Sequence, residues 1–150
     1  MSRLALLAGV SGSGKTTFAR TLEARGFVRL SIDEVVWAWG GDWAAEAPRA
    51  EDELLGVLVA HLTAGRDVVL DYPLCQRAAR DRYRALAADL GATPELYWFE
   101  APREVLHARV AARASAPGPN AFPVSPEQLD RYLGHAQRPD ADEGAVVNPS

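Results

Sequence analysis

The most constraining feature of this sequence is a glycine-rich segment that follows an apolar run and precedes a helical pattern. Residues 9–16 read GVSGSGKT and match the pattern GxxxxGK[ST] in full. The continuous apolar run Leu4 to Ala8 is typical of a central parallel strand. Phe18, Ala19 and Leu22 then follow at helical spacing. A strand, a glycine turn and a helix in this order predict a loop whose backbone N–H groups bind phosphate.

Each residue type in this loop has a physical role in binding a nucleotide. Glycines let the backbone curve so that successive N–H groups point inward. Lys15 is the only lysine in the sequence, and we expect it to reach the β and γ phosphates. We expect the Thr16 hydroxyl to bind Mg²⁺. The predicted MgATP-binding residues are Gly9, Val10, Ser11, Gly12, Ser13, Gly14, Lys15, Thr16 and Thr17.

An ordinary glycine-rich turn that happens to contain Lys-Thr is the alternative interpretation of this segment. The full match, the strand and helix on either side, and the position of the solitary lysine favour a phosphate-binding loop.

Strand and helix patterns alternate along the rest of the chain. We predict strands at 27–31, 67–71 and 95–99, with a short last strand possible at 145–148. Helices are predicted at 15–25, 49–64, 77–90, 102–114 and 127–136, and the segment 33–48 is read as polar and aromatic without regular structure. This alternation predicts a single α/β domain over residues 1–150, with a mainly parallel sheet of about five strands covered by helices on both faces.

Carboxylates follow three of the predicted strands. Asp33 follows the second strand, Asp71 ends the third and Glu100 follows the fourth. In a parallel sheet these positions meet at one edge, where ligands bind. Asp33 is our candidate general base, with a helix N-cap as the alternative. Asp71 is a candidate for Mg²⁺ or acceptor binding, with a turn residue as the alternative, and Glu100 is read as a helix N-terminal acid.

Arginines and tryptophans supply further candidates. Arg109 and Arg113 lie four residues apart beside the proline-rich segment SAPGPNAFPVSP, so we predict a short lid at about 109–126 whose cations meet ATP phosphates. A helix C-terminal role is the alternative for both arginines. Trp37 is a candidate wall for the acceptor, and a small satellite core of Trp37, Trp39 and Trp43 is the alternative.

Composition and charge bear on binding to nucleic acid, membranes and metals. The formal net charge of −4 gives no bulk attraction to nucleic acid or to an anionic membrane. A polynucleotide could still follow a helix face of Arg77, Arg80 and Arg84, although a solvated amphipathic face is the favoured reading. The single cysteine and the absence of metal-ligand spacing agree with a reducing, cytoplasmic setting. No apolar stretch is long enough to span a bilayer.

The sequence resembles the small P-loop kinases that include phage-type polynucleotide 5′-hydroxyl kinase, zeta toxins and chloramphenicol phosphotransferase, a group of AAA_33-type ATP-binding proteins. The resemblance extends over residues 4–143 and is closest in LALLAGVSGSGKTTFAR, RLSIDE and GRDVVLDYPLCQRAARDRYRALAADLGA. It implies a three-layer, nucleoside-kinase-like P-loop NTPase fold. It also implies that Asp33 is the general base, that Asp71 lies near the acceptor, and that Arg109 and Arg113 contact ATP phosphates.

The chain also departs from this group. Polynucleotide kinase has an arginine for the acceptor phosphate a few residues beyond its base, where this chain has Val36, Trp37 and Ala38. This departure disfavours a nucleic-acid acceptor. GVSGSGK is similar to gluconate kinases as well, but their sugar-binding pattern after the second strand is missing here.

The leading hypothesis is an ATP-dependent phosphotransferase that moves the γ-phosphoryl group of MgATP to a hydroxyl acceptor, either a small molecule or a nucleic-acid 5′-hydroxyl. The alternative is a nucleotide-binding switch or NTPase that acts on a protein partner.

Overall fold

A computed structural model describes residues 2–119 and 121–150. Within these residues the structure has a five-stranded sheet with helices on both faces. The strands are β1 (Arg3–Ala8), β2 (Val28–Leu30), β3 (Val68–Leu70), β4 (Thr93–Trp98) and β5 (Val146–Val147). The α-helices are α1 (Lys15–Ala24), α2 (Ile32–Trp39), α3 (Trp43–Thr63), α4 (Arg77–Asp89), α5 (Arg103–Ala114) and α6 (Pro126–His135).

Every strand pairing is parallel, and the order across the sheet is β2-β3-β1-β4-β5. The central strand β1 alternates between two cores. Leu4 and Leu6 belong to the cluster that contains Leu58 of α3, whereas Ala5 and Leu7 belong to the cluster that contains Phe18 of α1. Burial on both faces explains the unbroken apolar run in this strand. The predicted three-layer α/β fold is therefore confirmed.

The segment 33–48, predicted to lack regular structure, is largely helical. Helix α2 starts after Ser31, whose side chain accepts a hydrogen bond from the Glu34 backbone at 3.3 Å. Helix α3 starts after Asp42, whose carboxylate accepts from the Ala45 backbone at 3.0 Å. The prediction began this helix only after Pro48, which lies within the second turn of α3, where its missing N–H costs the helix one hydrogen bond. The Ser31 cap places Asp33 in the first turn of α2.

The last strand, β5, lies at the sheet edge and pairs with β4, as predicted for residues 145–148. The segment before it is held to α4 by ion pairs. Arg80 and Glu143 have fully buried side chains and meet at 2.8 Å. Arg84 also contacts Glu143, and Arg77 contacts Asp142 at 2.7 Å. The arginine face of α4 is therefore occupied by the chain's own carboxylates, and it is neither a solvated face nor a track for a polynucleotide.

Within residues 2–119 and 121–150, the helices are too short or too polar to cross a lipid bilayer.

We expect Glu143→Ala to lower the free energy of unfolding by about 3–5 kcal/mol, because it leaves the buried Arg80 guanidinium without its carboxylate. Chemical denaturation measures this loss, and Asp142→Ala is the control, since its exposed pair with Arg77 contributes much less. Equal losses of unfolding free energy in the two variants would contradict a stabilising role for the buried pair of Arg80 and Glu143.

The same pair has a defined pH dependence. The hydrogen bond from Arg80 lowers the pKa of Glu143 to about 2. The pair therefore stabilises the fold fully above the ordinary carboxylate range and loses this contribution as the pH falls towards 2.

Candidate functional site

The glycine loop lies between β1 and α1 and has the backbone that the motif requires. Gly9, Gly12 and Gly14 have φ values of 151°, 82° and 105°. A side chain at Gly9 would lie 2.6 Å from the Phe99 carbonyl oxygen. Gly14 directly precedes α1, so the positive end of that helix faces the loop. A curved glycine loop at a helix N-terminus is the arrangement that suits an anion, and we call residues 9–16 the cradle.

A cavity of about 540 Å³ opens over this loop. The loop lines it from Val10 to Thr16, whereas Gly9 and Thr17, also predicted to bind nucleotide, lie outside its lining. Several predicted and unpredicted side chains share this wall: Asp33, Trp43, Asp71, Cys75, Gln76, Arg113, Phe122, Tyr132 and His135.

Among the described residues, the side chains of Lys15 and Ser13 make no hydrogen bond to a residue outside the loop. The Lys15 ammonium donates to the carbonyl oxygens of Gly9 at 2.7 Å and Val10 at 3.4 Å, so it lies across its own loop. Among the described residues, the buried Ser13 hydroxyl has no hydrogen-bond partner. An unpaired polar group in a buried loop carries an energetic cost that a bound ligand can remove.

Asp71 connects three elements at the carboxyl edge of the sheet. Its carboxylate accepts a hydrogen bond from the Thr16 hydroxyl at 2.9 Å. It also accepts from Arg29 of β2, at 2.7 and 3.1 Å. The side chains of Arg29 and Asp71 are only 2% and 3% exposed, so this ion pair is shielded from water. Arg29 further pairs with Glu34 of α2 at 3.0 Å.

Asp33 faces the same cavity from α2 and is fixed by one strong hydrogen bond. The indole Nε1–H of Trp43 donates to its carboxylate at 2.5 Å. Burial raises the pKa of Asp33 above its ordinary value, and the Trp43 hydrogen bond and the charge of Lys15 oppose this rise. Asp71 adds to the rise because like charges disfavour ionisation. The carboxylate is thus held in a defined position with a more basic character than an exposed aspartate.

The predicted lid arginines take different positions. Arg113 lines the cavity, whereas Arg109 lies outside its lining and donates to the Gly12 carbonyl oxygen at 3.0 Å. Trp37 is 40% exposed and also lies outside the lining. Its ring packs edge-to-face with that of Phe122, with the two ring centroids 5.6 Å apart. Phe122 belongs to the predicted lid and lines the cavity. Residue 120 of that lid lies outside the described residues.

Glu100 lies apart from the cavity. It accepts hydrogen bonds from Trp98 and from Arg138, and the bond from Arg138 lowers its pKa. This agrees with a structural role, but the acid in the first turn of α5 is Glu104 and not Glu100.

Sequence reasoning missed two residues that shape the site. Arg29 stood within a short apolar strand, and a charge at such a position is a signal for a buried partner. In the sequence Trp43 is one of three neighbouring tryptophans. Its hydrogen bond to Asp33 could not be predicted because it depends on where α3 begins.

The residues present fit MgATP. The cradle and Lys15 suit the phosphates, and the Thr16 and Asp71 oxygens suit a magnesium ion that completes its shell with phosphate and water. No cluster of three or more His, Cys, Asp or Glu side chains in residues 2–119 and 121–150 could hold a metal by itself. Magnesium bound with a nucleotide needs only one or two protein ligands.

Residues 4–139 match the family model AAA_33, described as an AAA domain. No curated protein matches the chain.

Three solved structures show the same fold. A candidate kinase from Chloroflexus aurantiacus j-10-fl is 22% identical, with 97% of this chain and 86% of that chain covered and a TM-score of 0.76. Chaetomium thermophilum Kti12, in complex with ADP-AlF3, is 16% identical, with 96% of this chain and 87% of that chain covered and a TM-score of 0.72. A gluconokinase from Sinorhizobium meliloti 1021 is 19% identical, with 97% of this chain and 81% of that chain covered and a TM-score of 0.63. At these identities the likeness establishes a kinase-like P-loop fold.

We expect Gly9→Ala to destabilise the fold by about 1–3 kcal/mol and to weaken ATP binding, because the new methyl group meets the Phe99 carbonyl oxygen and strains the loop. Thermal unfolding and calorimetric titration with MgATP measure the two effects. Gly56→Ala in α3 is the control, since nothing lies within 4 Å of its added carbon, and it should be neutral or stabilising. Unchanged ATP affinity in Gly9→Ala would contradict the proposed cradle.

Proposed function

Because the chain belongs to the AAA_33 family of AAA domains, we propose that it is an ATP-dependent phosphotransferase that moves the γ-phosphoryl group of MgATP to a hydroxyl acceptor. The observation that carries the proposal is the pairing, in one cavity, of the phosphate-binding loop with a half-buried, hydrogen-bonded carboxylate at Asp33. The names of two structural neighbours, a candidate kinase and a gluconokinase, agree with this class.

In this proposal the loop amides and Lys15 bind the β and γ phosphates. The ammonium, which now bonds to the carbonyl oxygens of Gly9 and Val10, turns to phosphate oxygens when ATP is present. The Ser13 hydroxyl gains the partner that it lacks among the described residues. Thr16 and Asp71 would hold Mg²⁺, which when bound neutralises charge on the phosphates. Each of these groups contributes to holding ATP in one orientation.

Transfer requires an acceptor oxygen in line with the γ-phosphorus. The acceptor hydroxyl donates to the Asp33 carboxylate, which receives its proton as the new bond from oxygen to phosphorus forms. The bond from the γ-phosphorus to the bridging oxygen breaks, and ADP leaves with the electron pair. Arg113 lines the cavity and supplies positive charge for the phosphates, while Arg109 holds the loop through the Gly12 carbonyl oxygen.

The fixed Asp33 carboxylate favours transfer over a simple nucleotide switch. A switch needs only differential binding of two nucleotide states, whereas a half-buried acid held by an indole donor in the nucleotide cavity is suited to accept a proton. Hydrolysis of ATP that no acceptor stimulates would favour the alternative of an NTPase or switch.

We expect Asp33→Asn to lower the rate of label transfer from γ-labelled ATP by about 10²–10⁴-fold, because the amide cannot receive the proton. Its affinity for MgATP should stay close to that of the unaltered protein. Lys15→Met is the matched comparison, since it should weaken ATP binding itself. Transfer at the normal rate by Asp33→Asn would remove Asp33 from the role of base.

The pH profile tests the same carboxylate. Since the base must be ionised, the rate falls as the pH drops through the raised pKa of Asp33. Trp43→Phe removes the donor that favours the ionised form, so the acid limb of the rate profile should move to higher pH. Trp39→Phe is the control, because Trp39 packs against Arg49 and not against Asp33. An acid limb that stays in place in Trp43→Phe would contradict the assignment.

A further inference from the structure

A second opening adjoins the nucleotide cavity. It is a groove of about 650 Å³ between α3 and α4, large enough for a small organic molecule. The groove and the nucleotide cavity share the side chains of Trp43, Ala44, Pro73 and Gln76. The two openings therefore lie on either side of these shared residues, and the phosphate loop has no part in the lining of the groove.

The walls of this groove are mostly apolar. Ala47 and Pro48 line it from α3, Ala78 and Ala79 line it from α4, and Tyr72 lies in its lining between them. Such walls bind an apolar surface by removing it from water.

The two charged side chains that line the groove pair with each other. Arg82 donates to Glu51 at 2.9 Å, and the Tyr83 hydroxyl also donates to Glu51 at 2.5 Å. The pair has no net charge, although the Arg82 side chain is 64% exposed and contacts Glu51 through one nitrogen. The cations Lys15 and Arg113 line the nucleotide cavity and not the groove.

Trp43 connects the groove to the reacting position. Its indole N–H holds the Asp33 carboxylate, and its ring lines both openings. A hydroxyl group bound to Asp33 would have Trp43 beside it, and the same residue lines the groove.

We propose that the acceptor is an uncharged small-molecule alcohol with an apolar body, whose hydroxyl binds Asp33 and whose body lies in the groove between α3 and α4. This inference rests on the proposed phosphotransferase function and names its class of substrate. A polynucleotide is disfavoured, because its phosphates would meet an apolar wall and a neutralised ion pair.

The test compares label transfer from γ-labelled ATP to cyclohexylmethanol, 3-phenylpropan-1-ol and 2-naphthylethanol with transfer to glycerol and to a 5′-hydroxyl oligothymidylate. We expect kcat/KM to rise by about threefold or more with each step in apolar area along the three alcohols, and glycerol and the oligonucleotide to be poor acceptors. Preferred labelling of the oligonucleotide or of glycerol would overturn the substrate class and leave the phosphotransferase function intact.

Two variants locate the binding site. Ala78→Trp fills the groove at an exposed position of α4, and we expect it to raise KM for 2-naphthylethanol by about tenfold with KM for ATP unchanged. Ala88→Trp is the matched control, because Ala88 is exposed on the same helix and outside the groove lining. Equal KM values for 2-naphthylethanol in both variants would overturn the inference.

Calorimetric titration of the ADP-bound protein with 2-naphthylethanol separates the two proposals. Binding that Ala78→Trp abolishes, without transfer to any acceptor, would support the groove as an alcohol site while removing the phosphotransferase function. Absence of binding would overturn the groove inference whatever the outcome of the transfer assay.

Discussion

The buried ion pair between Arg29 and Asp71 is the interaction on which the arrangement of the site depends. It joins the carboxyl ends of two neighbouring strands, and Thr16 connects the same carboxylate to the first helix. Through Glu34 the guanidinium also reaches the helix that carries Asp33. A buried pair of this kind is weak evidence for stability, since desolvation opposes the attraction. Its clearer consequence is positional, because four elements contact one charged centre and separating Arg29 from Asp71 would leave a buried charge unpaired.

This centre also gives the two carboxylates that line the cavity different surroundings. Asp71 has a full positive charge beside it, whereas Asp33 has a neutral indole donor and a more distant ammonium. The charge on Asp71 in turn makes Asp33 harder to ionise. Two acids in one cavity with different partners are suited to different roles, one binding a metal and the other accepting a proton.

The sequence predicted the parts of this arrangement that are local. The strand, loop and first helix follow from contiguous residues, and the solitary Lys15 marks the loop without reference to any distant residue. The contacts that complete the site are long-range. Arg29 and Asp71 are 42 positions apart, and Arg80 and Glu143 are 63 apart, so spacing alone could not pair them. The start of α3 was missed because a proline within the second turn was read as a boundary.

Helix α4 explains how the chain's last segment bears on the acceptor groove. Arg77, Arg80 and Arg84 occupy one face of this helix, at spacings of three and four. They bind the carboxylates of Asp140, Asp142 and Glu143. Ala78, Ala79 and Arg82 occupy the opposite face and line the groove. The buried pair of Arg80 and Glu143 on one face of α4 therefore helps to hold in place the residues that line the groove from the other face. If the groove receives the acceptor as proposed, this ion pair outside the groove bears on the size of acceptor that fits.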